Sequence, residues 1–119
     1  MSTIGSTVRV IGQPDTFGGH YWAPADHAGP SSYTKGGYAL DPKSFGFDNT
    51  IWTVTPGVDQ SGTFMVVGRA TVSGRSPVNA VWISLDSGSI GGQTQVPGEE
   101  VAAGTNLAAY IVRLGAIGE

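Results

Sequence analysis

Period-two alternation governs the chain from Tyr38 onward, and no other pattern constrains the fold as strongly. In "TIWTVTPGV" (residues 50–58), Trp52 and Val54 alternate with Thr53 and Thr55 until Pro56 and Gly57 break the run. "GTFMVVGRATV" (62–72) sets Phe64, Val66 and Ala70 against Met65, Val67 and Arg69. "VNAVWISLDSG" (78–88) sets Val81, Ile83 and Leu85 against Trp82 and Ser84, and "NLAAYIVRLGAIG" (106–118) sets Tyr110, Val112 and Leu114 against Ile111, Arg113 and Ile117. Successive side chains of a strand point to opposite faces, so each segment reads as a half-buried strand. The segments between them, "DQSG", "SGRSP" and "GSIGGQTQVPGEEVAAG", are turn-forming by composition, and the last leaves room for an edge strand near residues 94–96.

These patterns predict an all-β protein, an antiparallel β-sandwich or small jelly-roll-like barrel. Nineteen glycines and seven prolines in 119 residues agree with short strands and tight turns. Phe64, Val66, Val81, Ile83, Val112 and Leu114 form the expected core, and Trp52 and Trp82, inside strands, are expected to be core or inter-sheet residues. Helix is confined to one candidate turn in "ALDPKSFGFDN", where Asp41 caps, Pro42 takes the first helical position and Gly46 stops the run, delivering Phe45 and Phe47 into the core.

Before this body the pattern differs. Residues 1–35 are dense in Gly, Pro, Ser and Ala, with a single short strand candidate at 7–11, and they read as an extended N-terminal arm to a body of residues 36–119. The start "MSTIGSTVRVIG" has no basic segment followed by an apolar one, and no apolar run approaches the ~18 residues of a membrane helix, so neither export by a signal peptide nor membrane insertion is expected.

Charge and composition narrow the function classes. Only 13% of residues are charged, against about 25% in an ordinary domain, and the net charge is -3. The basic residues Arg9, Lys35, Lys43, Arg69, Arg75 and Arg113 are scattered, so no stripe tracks a phosphate backbone and nucleic acid is not an expected partner. With no cysteine, thiolate metal sites and disulfides are excluded. No Gly-x-Ser-x-Gly elbow or phosphate-binding Gly-Lys-Ser/Thr loop is present. Glu99 and Glu100 are sequence neighbours, so in an extended segment they point to opposite faces and read as solvated loop charge. The chain is expected not to be an enzyme and to carry no cofactor.

"GGHYWAPADHAG" (18–29) is the most chemical-looking segment, because His20, Asp26 and His27 gather there. A metal centre needs three or four converging ligands, and no further ligand is visible, so these residues read as structural or interfacial. Tyr21 and Trp22 either stack on a sugar ring or anchor the arm in a neighbour's groove. The expected partner-binding set is His20, Tyr21, Trp22 and Tyr33.

"SYTKGGYALDPKSFGF", the later "SGTFMVVGRATV" and the ending "VAAGTNLAAYIVRLGAIG" together resemble small virion proteins of tailed bacteriophages, over residues 32–72 and 101–118. The resemblance rests on turn-and-strand patterns with no reactive group. It implies a structural component of a virus particle, a decoration or cement protein on the capsid surface, synthesised in the host cytoplasm. Its partners are then the major capsid protein and neighbouring copies of itself, as a homo-oligomer. The competing expectation is a receptor- or carbohydrate-binding β-sandwich module using Tyr21, Trp22 and Tyr33.

Overall fold

The fold is an antiparallel β-sandwich, seen in a computed structural model that describes residues 7–10, 15–17, 20–70 and 78–119. Its first layer holds β1 (Thr7–Val10), β2 (Asp15–Phe17), β3 (His20–Ala28), β5 (Ile51–Val54) and β11 (Ile111–Gly118), in the order β1-β3-β11-β5 with β2 also on β3. The second layer is β4 (Tyr38–Ala39), β8 (Val78–Ser84), β7 (Phe64–Ala70) and β6 (Gly57–Val58), in that order. A separate hairpin pairs β9 (Gly88–Ile90) with β10 (Gln93–Gln95), close to the edge strand expected at 94–96.

The two layers bury their facing sides in one core. Val112, Leu114 and Ala116 of β11 share one buried core with Phe64 and Val66 of β7 and Val78, Ala80 and Trp82 of β8. The small Ala23 and Ala25 of β3 belong to the same core, whose large rings include Tyr33, Tyr38, Phe45 and Phe47. Small side chains in one layer leave room for large ones in the other, which is how dense packing is reached without strained rotamers.

Residues 55–56 carry the chain from one layer to the other, between β5 and β6. Gly57 lies so close to β11 that a Cβ there would meet the Arg113 carbonyl oxygen at 2.3 Å. An isolated bridge from Asp59 to Val112 then ties the second layer to β11, closing one side of the sandwich. Asp59 is itself buried, and its carboxylate accepts N–H bonds from Ser61 at 3.0 Å and from Thr63 and Phe64 at 2.8 Å each, with the Ser61 hydroxyl at 2.5 Å. Burial pushes this carboxyl up; the bonds from Ser61, Phe64 and Thr63 outweigh it and hold the group below the usual carboxylate range.

"ALDPKSFGFDN" is a structural corner. Asp41 accepts from the Lys43 N–H at 3.0 Å, Pro42 opens a 3-10 turn over Pro42–Phe45, and Gly46 closes it at φ 86°, a left-handed conformation that costs glycine little. Phe45 and Phe47 enter the core stacked, with ring centroids 6.2 Å apart.

Three sequence expectations change. Residues 20–35, assigned to the arm, are built into the body: β3 lies between β1 and β11, pairing with β11 along its length from Tyr21 to Ala28. Its inward residues Ala23, Ala25 and His27 are too small or too polar to register as apolar alternation. Pro24 falls between the register of β1, which reaches Ala25, and that of β2, which reaches Trp22, a position where a missing N–H is tolerated. Residues 7–10 and 15–17 of the same assignment pair with β3 as β1 and β2, and its remainder, at 1–6, 11–14 and 18–19, lies outside the described residues.

The second change is the inward face of β8. Val78, Ala80, Trp82 and Ser84 point into the core, whereas Ile83 is half-buried and Leu85 is 40% exposed. Both faces of this strand are apolar, so alternation alone does not choose between them; the indole of Trp82 does, by burying fully and donating to the Tyr38 hydroxyl at 2.9 Å. Val81 is still buried, beneath the turn at Gly37, where a Cβ would stand 3.0 Å from its methyl. Third, Trp52 is 37% exposed on β5 rather than buried.

Candidate partner-binding site

The outer face of the five-stranded layer is assembled by the pairing of β3 with β11. Register places Trp22 beside Ile117, Pro24 beside Gly115, Asp26 beside Arg113 and Ala28 beside Ile111. These are the outward positions of both strands, so four cross-strand pairs make one surface.

At its middle Arg113 holds Asp26 in a two-point contact, Nε to Oδ1 at 2.8 Å and Nη2 to Oδ2 at 3.2 Å. The guanidinium side chain is 68% exposed and the carboxylate 18%. A pair so open to water adds little stability; its planar geometry leaves the remaining donors of Arg113 directed outward for a partner. Beside it a depression of about 260 Å3 is lined by Asp26, Val58, Gln60, Ile111 and Arg113. Val58 and Ile111 on its rim are 51% and 45% exposed. At the other end of β3, Tyr21 is 48% exposed and Trp22 lies against Gly115.

The expected binding residues separate. Trp22 lies at the end of this surface, whereas Tyr21, exposed beside it in β3, is on the side of the strand that carries Ala23 and Ala25. His20 opens β3, but its side chain is not among those described. Tyr33 is removed to the interior: 2% exposed, it donates from its hydroxyl to Glu100 Oε2 at 2.7 Å and accepts from the Trp82 N–H at 3.2 Å. Burial, and next the bond to Glu100, push its hydroxyl far above the ordinary tyrosine value. It ties loops to β8 and offers no ring to a ligand.

Glu100, expected as solvated loop charge, instead takes both the Tyr33 hydroxyl and the Gly36 N–H, the latter at 2.5 Å. Asp26 and His27 point to opposite faces of β3, Asp26 toward Arg113 and His27 into the core. Among the described residues no group of three His, Cys, Asp or Glu side chains converges to hold a metal.

Sequence reasoning misses Asp26, Val58, Ile111 and Arg113 as members of one surface. The alternation did place Ile111 and Arg113 on the face opposite the core; the missing signal is that residues 20–28 form the neighbouring strand.

Comparison with protein families, with curated proteins and with solved structures finds no match to this chain. Among the described residues no helix is long and apolar enough to cross a membrane.

Proposed function

We propose that this chain is a virion structural protein, a capsid decoration or cement protein of a tailed-phage head that docks through the outer face of the five-stranded layer. The supporting observation is the make-up of that face: exposed Ile111 and the half-buried Trp22 share it with the Arg113–Asp26 pair, and exposed Val58 of β6 borders the depression beside that pair. Trp, Tyr and Arg are the residue types that carry most binding energy in protein interfaces, and an apolar rim around a hydrogen-bonded pair excludes water from it. The tailed-phage setting rests on the resemblance at residues 32–72 and 101–118. The partners are the major capsid protein and adjacent copies of this chain, and modest contacts repeated over a shell stabilise it collectively.

Immunogold labelling of purified virus particles with antibody to this chain tests the reading. Label distributed over the heads is the expected outcome. Label confined to fibres, or absent from particles, removes the cement role. The carbohydrate-binding alternative keeps Tyr21 and Trp22 but loses Tyr33 to the core; saturable glycan binding that disappears in Trp22→Ala would favour it instead.

A further inference from the structure

We propose that this chain pairs with a second copy of itself, an acidic knob at residues 84–86 and 96–99 of one copy entering the Arg113 depression of the other. A second copy is then one of the partners of the docking face, and its assignment rests on the reading of that face as an interface.

The knob is two loops held together by backbone bonds. The Ser84 N–H donates to the Glu99 carbonyl at 3.0 Å, and the Ser84 carbonyl accepts from the Gly98 N–H at 2.8 Å. Pro97 and Gly98, the latter at φ 81°, form a tight turn closed by the Glu99 N–H on the Val96 carbonyl at 3.1 Å. The Leu85 N–H is fixed on the Thr63 carbonyl at 2.8 Å. So held, the loops present Leu85 and Val96 to water at 40% and 49% exposure, together with the exposed carboxylates of Asp86 and Glu99. Neither carboxylate has a hydrogen bond or ion pair among the described residues. Burying the two apolar side chains is favourable against a surface that also offers cations to the two acids.

The depression has that make-up. Val58 and Ile111 supply exposed apolar walls, and Gln60 adds an exposed amide. Arg113 donates from Nε and Nη2 to Asp26, and its other N–H groups have no acceptor among the described residues. Arg9 of β1 also stands opposite Asp26 in register, so the row across β1, β3 and β11 counts two arginines to one aspartate. In a chain of net charge -3, this row is a local surplus of positive charge facing the acids of the knob. Residues 59–63 connect the two features, running from Gln60 in the depression to Thr63 under the knob. Two copies meeting at this end make the contact twice, once in each direction, as a two-fold pair does.

Sedimentation velocity of the purified chain alone, without particles, measures the pairing over a range of concentrations. Arg113→Gln and Glu99→Gln are each expected to weaken self-association by about threefold to tenfold, and the double variant by no more than either alone, since both remove the same contact. Asp48→Asn removes an exposed carboxylate outside the knob and is expected to change nothing. Raising the ionic strength from ~0.01 M to ~0.15 M shortens the Debye length from about 30 Å to about 8 Å and is expected to weaken the pair. A chain that is monomeric at every concentration overturns the proposal. So do losses that add in the double variant, a Glu99→Gln chain that pairs as well as the unmodified one, or an equal loss in Asp48→Asn. The cement role is read separately: a monomeric chain that still labels phage heads overturns the pairing alone, and a pairing chain absent from the heads overturns the cement role alone.

Discussion

Trp22 occupies the space above Gly115 that any side chain would need: a Cβ added to Gly115 would come within 1.8 Å of the indole. The two residues are diagonal neighbours across the β3–β11 ladder, so the ring covers the backbone that the glycine leaves bare. Gly115→Ala should displace the indole and cost about 1–3 kcal/mol, the range for overpacking a tight site. Urea unfolding followed by tryptophan fluorescence measures both effects. An unchanged midpoint with unchanged emission would mean that the ring does not rest there.

Core truncations separate the two faces of the sandwich strands. Leu114 is 2% exposed and Ile83 is half-buried. Leu114→Ala should cost about 2–4 kcal/mol and Ile83→Ala clearly less, read from denaturant midpoints. Equal losses would place Ile83 in the core and reverse the facing of β8.

Asp59 links stability to acid. Its carboxyl is held below the usual range, so the stability it contributes is present above the unfolded-state value of about 3.9 and disappears as pH falls through the folded value. Asp59→Ala should lose about 1–3 kcal/mol at pH 7, because the buried N–H groups of Thr63 and Phe64 lose their acceptor. The gap between variant and unmodified chain should narrow below pH ~4, as the Asp59 carboxyl of the unmodified chain takes up its proton. A gap independent of pH would separate the group's role from its charge.

Much of the architecture is legible in the sequence because four strands alternate cleanly and the Asp41 corner carries its own cap, stop and buried rings. What escapes is tertiary. The inward side of β3 is Ala23, Ala25 and His27, residues whose burial is decided by the large rings across the core and leaves no apolar rhythm. In β8 both faces are apolar, and a hydrogen bond from Trp82 to Tyr38, 44 residues apart, selects one of them. The candidate surface fails to show for the same reason: Asp26 and Arg113 are 87 positions apart and meet only through strand pairing.

Truncation distinguishes a detachable arm from an integral strand. Removing residues 1–30 takes away β3, which lies between β1 and β11 in its layer. The shortened chain should show no cooperative thermal transition by circular dichroism, since β11 loses its longest partner. A truncated chain that melts cooperatively near the full-length temperature would restore the detachable-arm reading for residues 20–30.

The measurement closest to the central claim is co-sedimentation of the purified chain with particles stripped of it, using Ile111→Ser and Arg113→Gln together. Both side chains are exposed at 45% and 68%, so the double variant should keep the melting temperature within the usual range of surface changes. Docking through this face predicts at least a tenfold loss of particle binding, about 1.4 kcal/mol or more. Full binding by a variant that remains folded would contradict the assignment of this surface as the interface.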